Sequence, residues 1–186
     1  EHEKGFPKFN KKGEYDSFYL EGTNTQIIKV IGKKIKIPKI GWIKTYEKLP
    51  EGIEIKNLTI SRQANDWFIS FISDRVCDFE KTVSDSEIGV DLGVKTLATL
   101  SNGEIFESPK AYKKNKKKLR RISRSLSRKY EAHKKSNNKE KGSNYNKTKL
   151  KLAKLHQRIA NIRIDCTHKI TSNLSKNHRK INIEGL

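Results

Sequence analysis

Apolar and polar residues alternate along this chain with two different periods. Over roughly the first 86 residues the apolar positions come in short runs broken by Gly13, Gly22, Asn24, Gly32, Gly41 and Gly52, which predicts short strands joined by turns. The runs at 15–20, 25–31, 34–37, 41–46, 53–62 and 67–73 fit a small antiparallel barrel or sandwich. The last two predict a hairpin turning near Asn65-Asp66. Its second strand places Trp67, Ile69 and Phe71 on one face by the two-residue period, and most of the aromatics are expected in the core rather than as ligand platforms.

From Ser86 onward the runs 87–95, 96–101 and 104–108 predict three consecutive antiparallel strands, with Asn102-Gly103 as a tight turn and Pro109 as the stop. The period then changes. Leu119, Ile122, Leu126 and Tyr130 fall three to four apart, as do Leu152, Leu155, Ile159, Ile162, Cys166, Ile170 and Leu174. This predicts two amphipathic helices, joined by a polar loop over roughly 134–143. Residues 181–184 read as one more strand.

Charge sharpens this picture. The 186 residues carry a formal charge of +20, yet residues 110–186 alone hold 25 Lys+Arg against four Asp+Glu, and residues 1–109 hold 16 against 17. The whole excess therefore sits on the helical segment, where Lys113, Lys114, Lys116, Lys117, Lys118, Arg120, Arg121, Arg124 and Arg128 crowd one helix. A solvated lysine-rich face usually interleaves acids, and an anionic membrane surface calls for Trp or Phe anchors, which this segment lacks. A polyanion that screens the repulsion fits better, and nucleic acid is the expected partner. No apolar run reaches the roughly 18 residues of a membrane span, and no secretory leader opens the chain, so a soluble, cytoplasmic protein is expected. Cys77 and Cys166 have no CxxC partner, so neither a disulfide framework nor a zinc site is written here, and both are expected as buried thiols. The absence of methionine suggests a piece of a longer protein.

Two carboxylates stand out. Asp91 lies between Val90 and Leu92 and before Gly93, where an unpaired buried charge would be costly, and Glu184 follows Ile181 and Ile183 in the same way. If the two strands are neighbours, the acids could share Mg²⁺ or Mn²⁺, and paired ions about 4 Å apart support phosphodiester hydrolysis. A strand-end or turn-capping role is the alternative for Asp91. The string 88–104 also allows two folds: an RNase H-like nuclease with a metal-binding Asp on its first strand, or an actin-like ATPase or sugar kinase holding nucleotide phosphates near Asp91 and Lys95. The basic helices favour the nuclease, while Lys95 and Thr96 read as a solvated turn.

Several motifs in order resemble the TnpB or OrfB proteins of bacterial and archaeal insertion sequences, relatives of the type V CRISPR effector nucleases. Gly5-Phe6-Pro7-Lys8-Phe9 with Tyr15-Asp16-Ser17-Phe18 resembles that family's opening motif, and Ile37-Pro38-Lys39-Ile40-Gly41 resembles its LPKLG turn. Residues 88–95 resemble its first RuvC motif, 156–169 its RxANxRxDxxHK helix, and Ile183-Glu184-Gly185-Leu186 the end of its second RuvC motif. The resemblance implies a mixed α+β and α/β chain, with a wedge-type, oligonucleotide-binding-like β-barrel over 1–86. Over 87–186 it implies part of a RuvC, RNase H-like nuclease domain, with an inserted basic helical hairpin at about 110–176.

It further implies a transposon-associated, RNA-guided DNA endonuclease whose partners are a guide RNA and target DNA, with no obligate small-molecule substrate and no membrane partner. By the same resemblance Asp91 and Glu184 are catalytic ligands of Mg²⁺ or Mn²⁺. Arg158, Asn161, Arg163 and His168 fall in the helix motif, to contact nucleic acid or to pack the helix; Arg158 and Arg163 join the nucleic-acid-binding candidates. Asp165 is expected to pair with Lys169 at i+4. The family's zinc ribbon and third catalytic Asp have no counterpart in these 186 residues, so this chain is expected to bind nucleic acid but cut poorly, or to be a binding module without catalysis.

Overall fold

The protein is described here from a computed structural model over residues 16–21, 28–50, 52, 55–73, 85–136 and 141–184. Two compact units divide it, Glu1–Asp78 and Phe79–Leu186.

In the first unit, β-branched residues and alternating polarity give β1 (Ser17–Glu21), β2 (Lys29–Ile31), β3 (Lys34–Ile37), β4 (Gly41–Lys44), β5 (Ile55–Gln63) and β6 (Asp66–Ser73). They form two antiparallel three-stranded sheets, β1-β5-β6 and β2-β3-β4. Ile35 and Ile37 of β3 meet Leu58 and Ile60 of β5 in one core, each buried aliphatic side chain being worth about 1.5–3 kcal/mol. No closed barrel is found among the described residues, which corrects the barrel expectation. β5 is saturated by β1 and β6, and β3 by β2 and β4, so the sheets share side chains and no ladder.

The motif 37–41 forms its expected turn. Lys39 takes φ 64° and Gly41 φ 92°, and the Ile40 amide donates to Ile37 O at 3.2 Å. The β5–β6 hairpin turns on Ala64-Asn65, with Gln63 paired to Asp66, one residue earlier than the sequence pattern suggests. Its aromatics divide between core and surface. Ile69 and Phe71 pack inward, but Trp67 is 58% exposed with Arg62 stacked 5.7 Å from its ring, and Tyr19, Trp42 and Phe68 are exposed as well. A unit this thin buries its central aliphatics and leaves large rings at the rim. The strand expected at 25–31 is described only from Lys29, and the motif at 5–9, Cys77 and Gly185-Leu186 lie outside the described residues.

The second unit has β7 (Glu87–Leu92), β8 (Thr96–Leu100), β9 (Ile105–Glu107), α1 (Ala111–Lys135), α2 (Ser143–Asn177) and β10 (Lys180–Ile183). The sheet order is β10-β7-β8-β9. The first three strands form an antiparallel meander, and the chain returns through the helices to lay β10 parallel to β7. Ile88, Val90, Ala98 and Leu100 face Ile170 and Leu174 of α2. The other half of α2 buries Leu155 and Ile159 against Ala111 and Leu119 of α1. One helix, roughly 50 Å long, thus serves as lid for the sheet and as partner for the basic helix. Cys166 is half-buried at the sheet, less enclosed than expected of a core thiol. No helix among the described residues is long and apolar enough to cross a membrane.

Candidate metal and nucleic-acid site

Strand alternation decides where Asp91 points. Ile88 and Val90 face α2, so Gly89 and Asp91 lie on the opposite, open face of the sheet. In the parallel pair, Asn182 sits beside Gly89 and Ile183 beside Val90. Continuing this register by one residue sets Glu184, just past the end of β10, beside Asp91, at the spacing of about 4.8 Å between neighbouring strands. Both acids line one open cleft of about 470 Å³, together with Thr99, Ser101 and Asn182. Both are exposed, and among the described residues neither carboxylate is engaged in an ion pair or hydrogen bond. The charge at Asp91 is therefore not buried, which corrects the cost argued from its apolar neighbours: those neighbours face the other side.

Two unengaged carboxylates on adjacent strands form a hard-oxygen donor set, which fits Mg²⁺ or Mn²⁺. Among the described residues no group of three or more His, Cys, Asp or Glu gathers, and the carboxylates of the cleft are these two.

The register that aligns these acids is pinned at the other end of the same two strands. Ser86 Oγ donates to Asn177 O at 3.1 Å and lies 2.8 Å from His178 Nδ1. With its one proton on the carbonyl, the hydroxyl accepts from His178 through a proton on Nδ1. The Arg179 amide donates to Ser86 O at 3.1 Å, Arg179 pairs with Asp85 at 2.5 Å, and Lys180 pairs with Glu87 at 2.9 Å. The ion pairs are exposed and worth little individually; the Ser86 bridges fix how β10 starts. Sequence reading passed over Ser86 and His178, although a serine just before one strand and a histidine just before its partner were visible signals.

The nine cations of α1, Lys113, Lys114, Lys116, Lys117, Lys118, Arg120, Arg121, Arg124 and Arg128, are all exposed. Helical spacing sets Lys113, Lys117, Arg120, Arg124 and Arg128 in one strip opposite the buried stripe, about 22 Å long. Among the described residues none of the nine is in an ion pair, and Glu131 is the one acid of the helix. At the hairpin tip, Lys134 and Lys141 lie 4.9 and 5.4 Å from the Tyr130 ring, and Tyr130 stands 6.3 Å from Tyr145. On α2, Arg158, Asn161, Arg163 and His168 are exposed, so none of them packs the core. Asp165 pairs with Lys169 at 2.8 Å as expected, and its hydrogen bond and charge raise the lysine above its ordinary value.

A family model described as "Probable transposase", OrfB of IS605, matches residues 74–186. The Escherichia coli protein named "Putative RNA-guided DNA endonuclease InsQ" is 40% identical over 182 residues, covering 97% of this chain and 42% of the relative. A Streptomyces pristinaespiralis protein named "Putative RNA-guided DNA endonuclease" is 34% identical over 141 residues, covering 74% of this chain and 32% of the relative. A Mycobacterium tuberculosis protein with a name of the same kind is 29% identical over 198 residues, covering 98% of this chain and 41% of the relative. The chain thus spans about two-fifths or less of the length of these relatives.

Proposed function

The chain belongs to the OrfB family of probable transposases, and on that premise we propose that it is part of an RNA-guided DNA endonuclease of an insertion sequence, working in the prokaryotic cytoplasm. In this reading residues 87–186 are part of a RuvC, RNase H-like domain, and residues 1–86 are a wedge-type domain. The strand order supports the first assignment: an antiparallel meander with its first strand flanked by a parallel return strand brings two chain segments, far apart in sequence, to one sheet end. Guide RNA and target DNA are the partners, and α1 supplies the surface that follows their phosphates.

The observation that carries the reading is the register of β10 on β7, which supports a cation site shared by Asp91 and Glu184. Asp91 and Glu184 would hold Mg²⁺ or Mn²⁺, which when bound lends Lewis-acid stabilisation to charge developing on a scissile phosphate. The chain's own residues do the rest. The Ser86–His178 bridge keeps the two strand ends in step, and the cations of α1 hold the nucleic acid by its backbone, a contact set that is sequence-independent and salt-sensitive.

In the full-length protein, Asp91→Ala should abolish cleavage of guide-matched DNA in Mg²⁺ and leave DNA and RNA affinity within about twofold, since one exposed carboxylate adds little to backbone binding. Wild-type cleavage rates from that variant would overturn the catalytic assignment. Because the described residues bring two carboxylates together and no third carboxylate, His or Cys, these 186 residues alone should bind nucleic acid while cutting at least 10-fold more slowly than the full-length protein, given that losing part of a ligand set costs about 10–100-fold.

A further inference from the structure

A second depression in the Phe79–Leu186 unit has a lining unlike that of the carboxylate cleft. It encloses about 540 Å³ where the β7–β8 turn meets the start of α1 and the middle of α2, and a space of that size suits a ligand of nucleotide dimensions. Three cations border it, Lys110 and Lys113 from the start of α1 and Arg163 from α2, and among the described residues no carboxylate does. All three are exposed, and among the described residues none is engaged in an ion pair. Beside them stand apolar surfaces that the fold leaves open: Val94 is fully exposed, Leu97 forms part of the wall, and the Tyr112 ring is 57% exposed. Cations around an exposed aromatic and aliphatic surface call for a ligand that is anionic at one end and flat and apolar at the other.

Continuity identifies that ligand. Lys113 borders the depression and is also the first residue of the strip Lys113, Lys117, Arg120, Arg124 and Arg128. A strand whose phosphates follow that strip is delivered to the depression at its end. A base has a flat face to lay on Tyr112, and its phosphate reaches Lys113 and Arg163. A duplex presents no free base face, so the occupant has to be unpaired.

We propose that this depression is a pocket for one unpaired nucleotide of the nucleic acid that lies along α1, the base stacking on Tyr112 and its phosphate held by Lys110, Lys113 and Arg163. The proposal rests on α1 being a nucleic-acid surface and adds a preference for a junction between paired and unpaired strand.

The test compares, for the 186-residue chain and a fixed salt concentration, the Kd of a blunt duplex, of the same duplex with a four-nucleotide single-stranded overhang, and of that duplex with an abasic overhang. The overhang should tighten binding about tenfold, one stacked base's worth, and the abasic overhang should return most of that gain. Tyr112→Ala should remove the gain while leaving blunt-duplex affinity unchanged, and Tyr112→Phe should keep it. Tyr112 is exposed, so the substitution spares the core, and helix content by circular dichroism checks this. An overhang gain that survives Tyr112→Ala, or one that the abasic strand reproduces, would overturn the nucleotide pocket while α1 stands as a backbone surface. Failure of the blunt duplex to bind at all would instead sink the reading of α1, and the pocket with it.

Discussion

Gly93 shows how little room the end of β7 that carries Asp91 has. A Cβ built there would lie 3.0 Å from the Thr96 carbonyl oxygen, a backbone atom that cannot swing away without disturbing β8. Gly93→Ala should therefore destabilise the Phe79–Leu186 unit by about 1–3 kcal/mol in a denaturant titration, and an unchanged midpoint would contradict the tight turn. Ser86 acts at the far end of the same strand. Ser86→Ala removes both side-chain bridges to Asn177 and His178, so the amides of β10 should exchange with solvent at least about fivefold faster, while those of β8 keep their protection. Uniform acceleration across the sheet would show that the bridge stabilises the unit without fixing β10. Asp165 and Lys169 form an exposed pair of a different kind. The folded state raises the lysine above its ordinary value, so whatever the pair contributes is present at neutral pH and is lost as pH rises through the alkaline titration of Lys169. Because both side chains are exposed that contribution is small, and Asp165→Asn should leave stability at pH 7 nearly unchanged, as checked by its thermal midpoint.

Helix α2 divides its apolar stripe between two partners. Leu155 and Ile159 serve α1, whereas Ile170 and Leu174 serve the sheet. Leu155→Ala should cost about 2–5 kcal/mol and loosen the hairpin before the sheet, which amide exchange resolves by element. The stripe was readable in the sequence because a helix repeats its buried face every three to four residues, and the meander was readable because Asn102-Gly103 and Pro109 punctuate it. What the pattern could not supply was pairing between distant segments. Nothing local in 181–184 says that β10 lies parallel to β7, and nothing in Val90-Asp91-Leu92 says which side of the sheet is open. The aromatics misled for a related reason: Trp67 shares a face with Ile69 and Phe71, yet it stands at the hairpin end, beyond the reach of the shared core. The cationic strip of α1 was legible because it depends on helical spacing alone. Reversing Arg120 and Arg124 to Glu should lower the slope of log affinity against log salt by about two for duplex DNA, as each lost phosphate contact releases one fewer counterion. An unchanged slope would mean that phosphates do not run along this face.

At the scale of the whole molecule, charge and chemistry occupy different surfaces. The carboxylate cleft opens on the face of the sheet away from α2, and the cations cover the hairpin. The proposed backbone surface and the proposed cation site can thus be altered independently, which is why Asp91→Ala and the α1 reversal should have separate effects. The family was legible because several motifs occur in order, while the cooperation of Asp91 with Glu184 required the strand pairing. That cooperation is the central claim, and Mn²⁺ tests it most directly. In a titration of the isotopically labelled chain, paramagnetic broadening should begin together at the ends of β7 and β10. Asp91→Asn should weaken it at both ends by about 10–100-fold, as should Glu184→Gln. Broadening that persists around Asp91 in Glu184→Gln, or around Glu184 in Asp91→Asn, with wild-type Mn²⁺ dependence would show that the two acids bind separately and would contradict the shared site.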